Sequence, residues 1–409
     1  MFLLLTEETS PIEQPALPLR AVSKAPVYYL DTEEELAGAI VSLAAGEGPL
    51  AIDAERASGF KYSSRAYLIQ VHRANTDVFL IDPIPLAETE TWKRFTEFCN
   101  AIPWILHAAT QDLPCLREIS LSPPGLIDTE LGSRILGLPR VGLGAACEQL
   151  LGFSLAKEHS AADWSIRPFP TAWLNYAALD VDVLPDLASA LLDELSKSGK
   201  LEWAAQEFDH LLKFRPKEQS PDRWRNMSGL HDVKDSQRLA VARELWLARD
   251  ELACKLDVSP GRLVPDSSIV ALVKSKVTTR SALASLSSFN GRASRTYLDT
   301  WWEAYSKGLS SRDLPPLKVV QTGMPNHRNW ANRFPEADAR LQILKPVMLE
   351  ISEDLNVPAE NVLQPDLMRR VAWEPGEDIA KQLKELGARP WQVSAVAARF
   401  SAALESLTQ

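Results

Sequence analysis

The stretch that most constrains this chain is Leu50-Ala51-Ile52-Asp53-Ala54-Glu55, an apolar run too short for a helix that ends in two carboxylates. Alternate residues of a strand face the same way. Asp53 and Glu55 should therefore project side by side from the end of a buried strand. Charges set against a core need partners, and two adjacent carboxylates suit a divalent cation with hard oxygen ligands. A strand running out into an ordinary polar loop would look the same locally, so the flanking pattern has to decide.

Residues 32–43 carry a Thr cap, early acids and a helical apolar period. Residues 66–72 and 76–82 are β-rich runs separated by Arg73-Ala74-Asn75, the pattern of an antiparallel meander. A helix over 89–100 leads to another short buried strand at 104–107. Next come a helix near Asp112, a last strand at 126–128, and short helices around 130–136 and 143–151. One long helix is expected from about 171 to 196. This order predicts an α/β layer with a mixed sheet.

The 409 residues exceed one ordinary core, so two or three domains are expected. Residues 1–27 lack periodicity and read as a flexible tail. The opening Met-Phe-Leu-Leu-Leu run is too short for a signal peptide, and no segment is long enough to span a bilayer. Cys99, Cys115, Cys147 and Cys254 are scattered without a CxxC pair, which argues against zinc and fits a reducing cytoplasm. The net charge of −10 is uneven: residues 213–328 hold 20 Lys+Arg against 12 Asp+Glu, a local +8 that leaves −18 elsewhere. That asymmetry suggests a basic module joined to an acidic one.

Two further acidic patterns follow in the first half. In His107-Ala108-Ala109-Thr110-Gln111-Asp112 an apolar strand breaks off and an acid opens the next helix, where it could simply be a cap. In Tyr176-Ala177-Ala178-Leu179-Asp180 the i, i+4 spacing puts phenol and carboxylate on one helical face. Taken together and in this order, the three patterns resemble the exonuclease motifs of the DEDD superfamily, tyrosine subtype, and most closely the ribonuclease D family. Leu126-Ile127-Asp128-Thr129, Gly142-Leu143…Leu150-Leu151-Gly152 and Lys157-Glu158-His159…Asp163-Trp164-Ser165-x-Arg167-Pro168 extend the resemblance over about residues 28–200. Gln111 departs from it, standing where relatives often carry Glu.

The second half is similar to the same family. Residues 238–256 form an amphipathic helix followed by Asp257-Val258-Ser259-Pro260…Leu263-Val264-Pro265-Asp266, which resembles the helical HRDC module. A weaker copy, Leu355-Asn356-Val357-Pro358…Val362-Leu363-Gln364-Pro365-Asp366, lies about 100 residues on and suggests a second bundle. The expected organisation is a tail (1–27), a ribonuclease H-like exonuclease domain (28–212), an HRDC domain (213–307), a linker (308–329) and a second HRDC-like bundle (330–409).

The resemblance implies a metal-dependent 3′→5′ exoribonuclease. Four carboxylates at one site repel, two unit charges at ~4 Å costing ~4 kcal/mol at an effective dielectric near 20. A pair of cations relieves this and can clamp both oxygens of an in-line phosphoryl displacement. By resemblance Asp53, Glu55, Asp112 and Asp180 are the ligands of two divalent ions, Mg²⁺ or Mn²⁺, with Asp53 the bridge, and Tyr176 orients the attacking water. His107, Trp164 and Phe169 are candidate neighbours of the substrate, although core packing is the more usual fate of the two aromatic rings. The implied substrate is RNA with a single-stranded 3′ end, a transfer-RNA precursor or another small structured RNA, gripped through its phosphates by the basic middle region. A monomer in the cytoplasm, away from membranes, is expected. A DNA 3′→5′ exonuclease and a catalytically silent RNA-binding protein are the rival readings. No G-x-x-x-x-G-K-[ST] loop supports a helicase.

Overall fold

The computed structural model describes residues 17–156, 162–318 and 323–407. Parts of the expected tail, of the loop ahead of Trp164 and of the linker lie outside these residues. Among the described residues eight strands form two sheets: β1 (Leu19–Arg20), β2 (Val27–Leu30), β3 (Glu47–Arg56), β4 (Ala66–Ala74), β5 (Val78–Ile81), β6 (Trp104–Leu106), β7 (Leu126–Asp128) and β8 (Ser154–Leu155). The main sheet runs β2-β5-β4-β3-β6-β7. Strand β4 is antiparallel to its neighbours β3 and β5, and the other pairings are parallel, so the sheet is mixed as expected.

Helices α1 (Glu33–Ala44), α2 (Pro83–Leu86), α3 (Glu90–Asn100), α4 (Leu113–Glu118), α5 (Thr129–Leu136) and α6 (Leu143–Leu150) alternate with the strands. Three more close the domain: α7 (Thr171–Asp182), α8 (Leu184–Lys197) and α9 (Leu201–Leu212). Leu36, Phe95 and Leu116 bury one face of the sheet together with Ile52 and Ile69. Ala177, Val181 and Leu187 bury the other face with Ala51 and Leu68. Residues of β3 thus alternate between two cores, and the strand can release carboxylates only where it leaves both.

Two expectations need correction. The single helix over 171–196 is two helices meeting at Val183, because Pro185 in the first turn of α8 has no N–H and its ring clashes with a preceding carbonyl. The tail is anchored from residue 17 onward. Strand β1 pairs in parallel with β8, Arg20 is ion-paired with Asp182, and Asp182 also accepts from the amides of Lys24 (3.0 Å) and Ala25 (3.4 Å). A two-residue strand leaves no periodicity in a sequence, and its partners lie more than 130 positions away.

The rest of the chain is helical. One core joins Trp224, Leu245, Leu272 and Trp301, chiefly through the packing of the helices Ser236–Leu256 and Leu298–Ser310. A second core joins Leu344, Val371 and Phe400 to Ile135, Leu191, Leu195 and Phe208 of the α/β domain, so the core of this bundle is continuous with that domain. No helix among the described residues is long and apolar enough to cross a membrane.

Candidate active site

Asp53 and Glu55 stand on β3 opposite Gln70 and Leu68 of β4, with the alternation that the sequence implies. The β3–β4 register breaks between Glu55 and Arg56. Such an irregularity bends the strand and re-aims side chains at the rim of a sheet. Helix α7 crosses this end of β3 and brings Tyr176 and Asp180 over it. Carboxylate oxygens of Asp53, Glu55 and Asp180 come within 4.8 Å of one another.

Asp112 sits at the start of α4 but makes no side-chain capping bond. Its carboxylate turns to Asp53 and to Arg56, whose Nη2 lies 3.5 Å from Asp112 Oδ1. An ordinary cap would face its own helix. The loop that permits this is pinned by buried Asp128, which accepts from the amides of Ala108 (3.2 Å), Ala109 (2.8 Å), Glu130 (2.9 Å) and Leu131 (3.0 Å). Ala108 is held in the left-handed region at φ 63, a conformation that costs a non-glycine residue about 1–3 kcal/mol and persists where surroundings enforce it.

The acids line a cleft of about 260 Å³ with Arg56, His107 and Tyr176. Burial pushes up the carboxyls of Asp53, Glu55, Asp112 and Asp180, and the charge of Asp53 adds to the shift in the other three. Arg56 opposes the shift at Asp53, Glu55 and Asp112. The Tyr176 phenol is pushed up by burial and by neighbouring carboxylates, and it hydrogen-bonds Asp180. Protons or cations must therefore balance this cluster, and an all-oxygen donor set fits hard divalent ions.

His107 lies in the cleft with Nδ1 2.8 Å from Thr129 Oγ1, whose hydroxyl donates to the Leu106 carbonyl at 3.2 Å. Burial lowers the His107 pKa to about 4, so the ring is neutral. Trp164 and Phe169 are outside the cleft, which corrects their candidacy. Trp164 is wholly buried against Phe169 and Trp173, and Phe169 packs under the Arg167 guanidinium at 3.9 Å beside a separate cavity. Large rings with little polar edge gain more from the core than from a wet cleft. Sequence reasoning missed Arg56 and Asp128. The N-cap position of Asp128 was visible ahead of α5, but its grip on residues 108–109 was not.

Comparison with known proteins bears on both halves. Residues 27–196 match the model of a 3′-5′ exonuclease domain, 238–305 that of the HRDC domain, and 323–404 that of a 3′ to 5′ exonuclease C-terminal domain. The chain is 27% identical over 287 residues to ribonuclease D of Granulibacter bethesdensis, covering 68% of this chain and 69% of that protein. It is also 27% identical over 264 residues to the exosome complex exonuclease RRP6 of Saccharomyces cerevisiae, covering 60% of this chain and 35% of that one. Among solved structures, a protein from Bifidobacterium adolescentis superposes with TM-score 0.87 at 38% identity, over 95% of this chain and 100% of that one. Escherichia coli RNase D shares the fold at TM-score 0.67 and 22% identity, over 94% and 100%.

Proposed function

The chain belongs to the ribonuclease D family, and on that premise we propose that this 3′→5′ exoribonuclease works through Asp53, Glu55, Asp112, Tyr176 and Asp180. The observation that carries the reading is the meeting of Asp53, Glu55 and Asp180, with Asp112 against Asp53, from three elements far apart in sequence. These carboxylates would hold two divalent ions, magnesium or manganese, and Asp53, in contact with acids on both sides, would be shared between them. When bound, the ions supply positive charge to the scissile phosphate and to the attacking and leaving oxygens.

The protein's own groups then fix position. Tyr176 keeps its proton, since burial and the neighbouring carboxylates raise its pKa, and it is held by Asp180. With that proton spent on Asp180, the phenol oxygen can accept a hydrogen from the attacking water and aim the water's lone pair at phosphorus. Neutral His107, tied to Thr129, walls the cleft without bringing a competing positive charge.

The site reads a phosphodiester and carries no base information. We assign the substrate to RNA with an unpaired 3′ end on a folded body, a transfer-RNA precursor or another small stable RNA. The +8 of residues 213–328 is suited to gripping such a body. We assign the enzyme to the cytoplasm, as a monomer, in keeping with cysteines that are free among the described residues.

The test is release of nucleotides from a 3′-extended transfer RNA, followed base by base with Mg²⁺ or Mn²⁺. Asp53→Asn should slow it at least ~10³-fold, on the order of 4 kcal/mol of barrier. Activity within tenfold of the wild type, or persisting under full EDTA chelation, would remove Asp53 or the metals from the reading. A matched DNA strand degraded as fast would remove the RNA preference.

A further inference from the structure

Among the described residues Arg56 is the cation beside the acid cluster, and the reading above gives it no task. Its side chain is 28% exposed, its tip reaches Asp112 Oδ1 at 3.5 Å, and its backbone pairs with Ala66 of β4 just past the register shift that follows Glu55. Its positive charge acts on Asp53, Glu55 and Asp112. The geometry divides the acids in the same way. Asp53, Glu55 and Asp180 converge as a ready trio, while Asp112, the acid that pairs with Arg56, touches Asp53 but stands outside the trio.

Charge balance says what should follow. Two divalent ions would neutralise all four carboxylates, leaving the guanidinium without a counter-charge inside the cleft. The phosphodiester that then enters carries a single negative charge and needs one more positive partner. A guanidinium on a flexible stem offers a planar donor fork that matches phosphate as well as it matches carboxylate.

We propose that Arg56 is an internal counter-ion that holds the Asp112 side of the site in place of the second cation and passes to the substrate phosphate when that cation binds. One cation position, at the trio, is then preformed, and the other is opened by displacing Arg56. Metal and RNA would bind cooperatively, since a phosphate that takes up Arg56 lowers the cost of the second ion. The inference rests on the two-cation reading of the site.

Calorimetric titration of the full chain with MnCl2, alone and with 5′-AMP as a phosphate-bearing product, tests it. The wild type should show a stronger and a weaker event. In Arg56→Gln the weaker event should tighten about tenfold while the stronger stays put, because a half-buried pair of this kind no longer competes. The nucleotide should tighten the weaker event in the wild type and not in Arg56→Gln. Arg56→Lys, which keeps the charge and loses the fork, should bind Mn²⁺ as the wild type does with a reduced nucleotide effect. Should Arg56→Gln lose its circular-dichroism spectrum, Arg56→Lys carries the test, and a nucleotide effect equal to the wild type's refutes the hand-over. Equal Mn²⁺ isotherms for the wild type and a folded Arg56→Gln overturn the proposal. A wild type with no second event overturns it differently, by removing the two-cation reading itself, so the two failures are distinguishable.

Discussion

In the first bundle the 21-residue helix Ser236–Leu256 ends on Asp257 in the left-handed region (φ 46, ψ 52), and in the second the 21-residue helix Pro335–Leu355 ends on Asn356 (φ 47, ψ 52). Each corner leads into a four-residue helix, Pro260–Leu263 or Ala359–Val362, and then a nine-residue one, Asp266–Lys274 or Pro365–Trp373. Both corners face the catalytic domain. Asp257 accepts from the Ser63 amide at 2.9 Å and the Tyr67 hydroxyl at 3.3 Å, while Arg262 donates to the Gly59 carbonyl at 2.8 Å and lies over the Phe60 ring. The Asn356 carbonyl accepts from Lys200 Nζ at 3.0 Å, and around it Trp330, Leu344 and Phe400 share one core with Ile135, Leu195 and Phe208. One supersecondary unit is thus attached in two ways, by a polar seam that water and salt can weaken and by a continuous apolar core that they cannot. The seam grips the loop that begins just after Arg56, so the attachment more easily loosened is the one next to the cleft.

The largest effect should come from the shared core. Phe208→Ala removes a buried ring that serves both the catalytic domain and the second bundle, at about 3–5 kcal/mol. Denaturation followed by tryptophan fluorescence and by loss of nuclease activity should show one transition, shifted together in both signals. Two separated transitions would mean that the second bundle is docked rather than fused. A smaller loss should follow Gly137→Ala. Gly137 has φ 92, and an added Cβ would lie 2.2 Å from the Asn356 carbonyl oxygen, so the corner must retreat. The strain alone should cost about 1–3 kcal/mol in a melt. An unchanged melting temperature would show that the contact at this corner gives way freely.

How far the sequence reaches is visible in the same comparison. The repeated Leu-x-Val…Pro-Asp pattern announces both corners, because left-handed ends and proline-started helices impose local chemistry. It does not say what either corner touches. Ile135, Leu191, Leu195 and Phe208 read as ordinary amphipathic faces, and an apolar face carries no record of its partner. In the site, Asp53 with Glu55 and Tyr176 with Asp180 are legible through strand and helix periods. Asp112 looks like a cap until the fold turns it away from its helix. Arg56 has no period to betray it, and Trp164 and Phe169, aromatic and near a motif, are drawn into the core by burial that local sequence does not encode. Pro185 carries the local signal of a helix start, which the apolar period running through it conceals.

The polar seam should give the smallest effect on stability and the clearest dependence on conditions. Asp257→Asn should cost at most about 1 kcal/mol, since the seam is partly exposed. It should also speed hydrogen exchange over residues 59–65 while leaving that of α5 and α9 unchanged. Burial alone would raise the Asp257 carboxyl, but the bonds from Ser63 and the Arg65 and Lys61 charges outweigh it and hold the group below its usual value. A carboxyl lowered in the folded state contributes stability above its unfolded pKa, near 3.9, and loses it as pH falls through the lower folded value. The wild type and Asp257→Asn should therefore differ in exchange over 59–65 at neutral pH and converge as the buffer is acidified below about pH 4. Added salt should narrow the same gap at neutral pH by screening Arg65 from Asp257, which lie 3.6 Å apart. A difference that survives both acid and salt would mean that the first bundle is held by its apolar contacts, Tyr62 and Phe60 among them, and the contrast between the two attachments would collapse.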